Sequence, residues 1–130
     1  MSKNPKTVTL KFKLGDLFDA RQAGANNELR SSEEIAGVDR YRIGLFLGEV
    51  RRHLQAFDDA RNQLIKSLGV GGVVAPDSKN LDQFTKQVEE MRNQEVEIKV
   101  RPVVLVTSEG AVPKPVVFEF FPELFVLEDK

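Results

Sequence analysis

The chain has no cysteine and no tryptophan, one tyrosine and one histidine. Without cysteine there are no disulfides, no thiolate chemistry and no cysteine metal sites. A single histidine excludes zinc held through several imidazoles, and His53, beside Leu54 and next to Arg51 and Arg52, reads as a helix-surface residue. Charge of either sign is not in excess: Lys plus Arg is 19 against 20 for Asp plus Glu, a net charge of -1. Nucleic acid is therefore not an expected partner, because a basic surface supplies most non-specific affinity for it. Base stacking would fall to the phenylalanines, most of which read as core. Long apolar runs are missing too. The longest, Ile43–Gly48 and Val103–Val106, fall far short of the roughly 20 residues that cross a bilayer, so no membrane partner is expected. The opening Met1-Ser2-Lys3-Asn4-Pro5-Lys6 is polar and lacks a signal peptide's apolar centre, and a cytoplasmic location is expected.

The residues that are present suit one folded domain: 130 residues, 41% hydrophobic and 30% charged. The strongest pattern is an apolar seam at Ile43, Leu47, Val50, Leu54, Phe57, Leu64 and Leu68, a seven-residue repeat broken once, at Arg61. A second seam lies at Leu81, Phe84, Val88 and Met91. The spacing predicts a long helix over about 33–68, a Gly/Pro-containing turn over 69–80 and a helix over 78–94, together a helical hairpin. Ser31 or Ser32 before Glu33 and Glu34 is a start signal, and Gly69, Gly71 and Gly72 are a stop signal. Gly37 either lies within the long helix or marks a break between two shorter ones. Gly37, Gly44 and Gly48 fall on one face, where close approach of another backbone would offset a cost of up to about 1 kcal/mol each.

Around the hairpin the period changes. Val8, Leu10, Phe12 and Leu14 alternate with Thr9, Lys11 and Lys13, a strand over 7–14 whose lysines suit an edge. Asp16 is placed to cap a short helical turn through Leu17, Phe18 and Ala20, and 21–32, with Gly24, Asn26 and Asn27, reads as a loop. Val96, Ile98 and Val100 alternate before Pro102 and the apolar Val103–Val106, giving strands over 96–107. Ser108-Glu109-Gly110 is a turn, and Pro113 and Pro115 stiffen the next segment. Val116, Phe118 and Phe120 alternate as a strand over 116–120, and Pro122-Glu123-Leu124 opens a short helix or extended tail over 121–130. The fold class expected is α+β: an antiparallel helical hairpin packed on a small, mainly antiparallel sheet, in one domain over 1–130.

No catalytic, cofactor-binding or metal-binding residue is indicated, and the chain is not expected to be an enzyme. Asp58-Asp59, Glu89-Glu90 and Glu95/Glu97 read as solvated faces, with Arg61 or Arg51 paired against Glu89 or Glu90 across the hairpin. Gly69-Val-Gly-Gly72 lacks the Lys-Ser/Thr of a phosphate loop and comes after a helix instead of a strand. The serines have no nucleophile-elbow context. Candidate interface residues are Gly37, Gly44 and Gly48 on the glycine face, with Val104, Val106, Phe118, Phe120 and Phe125 in the unusually apolar C-terminal third. The implied partner is a protein, either a second copy or another chain.

One resemblance adds to this. The opening strand Val8–Leu14, the stretch Leu54-Gln-Ala-Phe57-Asp-Asp-Ala-Arg61-Asn-Gln-Leu-Ile65-Lys-Ser-Leu68-Gly69, and Phe84-Thr-Lys-Gln-Val88-Glu-Glu-Met91 running into Glu95-Val-Glu-Ile98 resemble a group of small, mostly uncharacterised proteins encoded by tailed bacteriophages. The likeness covers roughly residues 40–105; residues 21–39 and the glycine face depart from it. It implies a phage protein that works by contact in the cytoplasm of a bacterial host. Its role would be a virion or assembly component, or an early protein that binds and inhibits a host factor such as a nuclease or polymerase.

Overall fold

A computed structural model describes residues 6–32, 35, 37–106 and 114–128. The elements run β1 (Val8–Lys13), α1 (Leu14–Gln22), α2 (Ala25–Arg30), α3 (Gly37–Leu68), α4 (Leu81–Arg92), β2 (Glu95–Val100), β3 (Val103–Val106), α5 (Pro115–Phe120) and β4 (Phe125–Glu128), with a 3-10 turn at Pro122–Leu124 before the last strand. The class is α+β. The turn Ser108–Gly110, Pro113 and the pair Glu33-Glu34 lie outside the described residues.

Alternation does for β1 and β2 what it predicts. They pair antiparallel, Leu10 opposite Ile98 and Phe12 opposite Val96, so Leu10, Val96, Ile98 and Val100 point inward. Lys11 reaches Glu95 and Glu97 across the wet face at 3.9 and 4.0 Å, exposed pairs worth well under about 1 kcal/mol each. The N–H of Leu14 donates to the Gln94 carbonyl at 2.9 Å, carrying the ladder to the point where α1 begins. α1 is longer than the single turn expected and has no side-chain cap; Asp16 sits in its first turn.

The inner face of α3 carries the core: Ile43, Phe46, Leu47, Val50, Leu54 and Phe57 are buried, with Phe46 edge-on to Phe121 at 5.4 Å between ring centroids. Gly37 does not break the helix but begins it, with φ of 62°. The stop signal works differently from the expected cap. Gly71 and Gly72, with φ of 64° and 81°, form a tight turn between the bridged Val70 and Val73, a conformation that side chains resist. Gly69 N–H donates to the Ile65 carbonyl, and the Asn80 amide reaches the Leu68 carbonyl at 3.0 Å, holding the start of α4 to the end of α3.

Three expectations are corrected. The segment 21–32 is mostly helical: α1 runs to Gln22, and after Gly24 α2 buries Ala25 and Leu29 four residues apart. The segment 116–120 is the helix α5, not a strand. Val117, Phe121 and Leu124, spaced four and three, are almost fully buried, and Pro115 at the first turn favours the helix. The tail returns as β4, which pairs parallel with β3, Val103 beside Phe125, so only one of the two sheets is antiparallel.

Candidate interaction surface

Among the described residues, the outer face of α3 is the helix face with the most exposed large apolar side chains. Val38, Tyr41 and Leu45, spaced three and four, form one ridge and are 61%, 67% and 57% exposed. Gly48 continues the same seven-residue repeat. A Cβ added at Gly44 or at Gly48 would meet nothing within 4 Å, so the two glycines make a trench beside the ridge. The close backbone approach expected at this face is therefore not made among the described residues. The trench opens into a groove of about 220 Å³, walled by Leu29, Ser32 and Ile35 on one side and by Ile43 and Leu47 below.

Cations flank the ridge on both sides. Arg30, Arg40 and Arg51 line the groove. Lys99 and Arg101 stand with Arg42 around Leu45 on the other flank. Arg42 pairs with Asp39 at 3.6 Å and Arg52 with Glu49 at 2.7 Å. Arg40 donates to the carbonyls of Ser32 and Ile35 at 3.0 and 3.2 Å, which fixes the groove wall to the helix and leaves its charge in place. Among the described residues, Arg30, Arg51, Lys99 and Arg101 have no carboxylate within ion-pair distance.

The other residues singled out in the sequence lie elsewhere. Gly37 is exposed at the start of α3, one residue before the ridge. Phe125 is 8% exposed and belongs to the core; Phe118 contacts it at 5.2 Å between centroids, and Phe118 and Phe120 pack half-buried against the same core. The phenylalanines of the tail thus help close the core, while Val126 beside them is 41% exposed. Val104 is half-buried in β3, and Val106 ends that strand at the margin of the described residues. His53 is half-buried on α3.

The acids do not converge. Asp59 accepts from the Gln55 amide, Glu90 lies beside a groove lined by Gln87 and Met91, and Glu89 lies beside a different one lined by Phe84 and Val88. Among the described residues no group of three or more His, Cys, Asp or Glu gathers as a metal site would. The expected pairing of Arg61 or Arg51 with Glu89 or Glu90 is replaced by another arrangement. Arg21 donates N–H groups from its two terminal guanidinium nitrogens to the Asp58 carboxylate at 2.9 and 3.0 Å, and Arg92 donates to Asp19 at 2.9 Å. Arg21, Arg61 and Arg92 all lie over the Phe18 ring, at 5.2, 5.5 and 5.7 Å. The hydrogen bond from Arg21 holds the Asp58 carboxyl below its ordinary value against the opposing effect of burial, and raises the Arg21 guanidinium in turn. This cluster ties α1 to α3 and α4. It also explains the broken repeat: position 61 is where α1 crosses, and the Arg61 guanidinium lies over the Phe18 and Phe57 rings there, at 5.5 and 5.8 Å.

The sequence places Gly37, Gly44 and Gly48 on one face, and the ridge beside them was missed. The signal was present as a second, offset repeat at Val38, Tyr41, Leu45 and Gly48, masked by the stronger inner seam on the same helix. No known protein family, curated protein or solved structure matches the chain.

Proposed function

We propose that this chain is a non-enzymatic protein–protein interaction module that presents the outer face of α3 to a partner. The observation that carries the reading is the ridge of Val38, Tyr41 and Leu45, three large apolar side chains more than half exposed beside an open glycine trench. Scattered apolar residues on a surface are ordinary, but an apolar row in helical register with adjoining small residues is the form of a helix-packing face. The reading includes no cofactor and no catalytic residue.

The resemblance to tailed-phage proteins supplies the setting, a virion or assembly component made in the bacterial cytoplasm. The second reading, an early protein that inhibits a host factor, draws support from charge asymmetry: the cations around the ridge stand on a chain whose net charge is -1. No described helix is long and apolar enough to cross a membrane.

Photo-crosslinking from position 45, with position 119 as an exposed control, tests the module. A discrete protein adduct from Leu45→benzoylphenylalanine, and none from Glu119→benzoylphenylalanine, is the expected result. An adduct with a particle protein assigns the chain to the virion, and one with a cellular protein assigns it to host control. Equal labelling from both positions, or none from position 45, overturns the reading.

A further inference from the structure

We infer that the occupant of the α3 outer face is an acidic amphipathic helix of another protein, seated against Val38, Tyr41 and Leu45 with its backbone crossing the Gly44/Gly48 trench. The inference rests on the interaction-module reading and names the partner's chemistry.

Shape argues for a helix. Val38, Tyr41, Leu45 and Gly48 are spaced by steps of three, four and three, the repeat of a helix–helix seam, here turned to solvent. The open space over Gly44 and Gly48 admits a second backbone at the 8–10 Å axial separation of packed helices, about the lower end of that range where glycine lines the contact. Positions 38–52 span roughly 20 Å of α3, enough for about four turns of a partner.

Charge decides which helix. The ridge runs between Arg30, Arg40 and Arg51 on one flank and Lys99 and Arg101 on the other. A second copy of this chain would bring these cations against their own equivalents, a like-charge juxtaposition that opposes the contact. A partner with apolar side chains on one stripe and carboxylates at both edges meets them with opposite charge. A nucleic-acid backbone fits less well, because Asp39 and Glu49 stand in the same surface and three apolar side chains occupy its middle. A lipid surface has no use for a trench two glycines long.

The test titrates the full chain into a fluorescein-labelled synthetic helix of about 18 residues, long enough to hold helical structure, with Leu and Ala along one stripe and Glu at its edges. Three comparison probes are its Lys-for-Glu counterpart, a DNA duplex of about 20 base pairs, and phosphatidylserine-containing vesicles. Anisotropy is expected to show the Glu peptide binding at least about tenfold tighter than the Lys peptide, with affinity falling as salt rises. Tyr41→Ala and Gly48→Leu are each expected to weaken it by about tenfold or more while the thermal midpoint stays unchanged or rises, since both positions face solvent and leucine is the better helix former. Equal affinity for the two peptides, preference for the duplex or the vesicles, or indifference to both variants overturns the inference. So does a homodimer in sedimentation that Tyr41→Ala abolishes. If position 45 crosslinks to a protein while the Glu peptide does not bind, the acidic helix is wrong and the module stands. If neither occurs, both fall.

Discussion

Asp58 is held by two hydrogen bonds from one planar group, and that geometry gives its charge a measurable effect. The Arg21 side chain is 34% exposed and that of Asp58 27%, so solvent screens the pair and its contribution is about 1 kcal/mol or less. The direction of the shift sets the sign. Because the folded-state value of Asp58 is lowered, folding is favoured by its ionised form. The stabilisation is complete above the ordinary carboxylate value of about 3.9 and is lost as pH falls through the lower, folded value. Urea unfolding from pH 7 down to pH 2 is expected to show a decline below about pH 4 that is shallower in Asp58→Asn, the variant being less stable than the parent at pH 7 but closer to it at pH 2. Parallel pH profiles for the two proteins would mean that the pair contributes nothing. At the same scale, Gly15 has a clear reason to be glycine. A Cβ there would lie 2.9 Å from the Arg92 Cβ, so the arginine that reaches Asp19 could not cross α1.

Among the elements, α3 divides into two halves with different surroundings. From Ile43 to Phe57 its inner face is buried in the core, whereas Leu64, Ile65 and Leu68 are only half-buried. α4, which packs on that far end, has no buried residue at all, and Leu81, Phe84, Val88 and Met91 are each half-covered. The hairpin end is therefore a region of low local stability compared with the rest of α3. Native-state hydrogen exchange is expected to show amides of α4 and of α3 beyond about residue 61 opening together, well below the energy of global unfolding that residues 46–57 require. Phe84→Ala should cost about 1–2 kcal/mol, against about 3–5 for Phe46→Ala. Similar losses at the two positions would place α4 within the global cooperative unit instead.

These elements also mark how far the sequence could be read. The inner seam of α3, the alternation of β1 and β2 and the stop at Gly71-Gly72 are local signals with a single period, and each led to the right element. Val116 to Phe121 carried two periods at once. The alternating Val116, Phe118 and Phe120 competed with Val117, Phe121 and Leu124, and only packing against the core selects the helix. α2 was hidden because Asn26 and Asn27 favour loops locally, while burial of Ala25 and Leu29 outweighs that preference. The parallel pairing of β3 with β4 depends on contacts about 22 positions apart, which no local pattern encodes. For the candidate surface, the glycine face was legible, whereas the ridge beside it required knowing which side of α3 the core covers.

On the scale of the whole molecule, a net charge of -1 conceals an uneven distribution. The largest exposed apolar side chains on α3 stand among cations, while Glu95 and Glu97 accompany Lys11 on the wet side of β2 and Glu89 and Glu90 lie along α4. An apolar ridge that would otherwise invite self-association is thus flanked by more cations than carboxylates, Asp39 and Glu49 being paired with Arg42 and Arg52, which keeps copies apart and leaves the face open to an unlike partner. Reversing that sign should therefore change how the copies behave. Arg30, Arg51 and Lys99 are exposed, so Arg30→Glu/Arg51→Glu/Lys99→Glu is expected to fold. The parent and the variant should each be monomeric by light scattering at low salt, the parent at its chain mass of 14.6 kDa. Mixed in equal amounts they should associate, because the ridges then meet with opposite charges at their edges. The contact is small, so the complex should be weak and should dissociate on raising salt toward about 0.5 M, where charges more than a few ångströms apart are screened. Tyr41→Ala in both chains should abolish it. A mixture that stays monomeric would mean that charge is not what holds two such ridges apart, and a parent that is already dimeric at low salt would mean that the ridge is covered by its own copy.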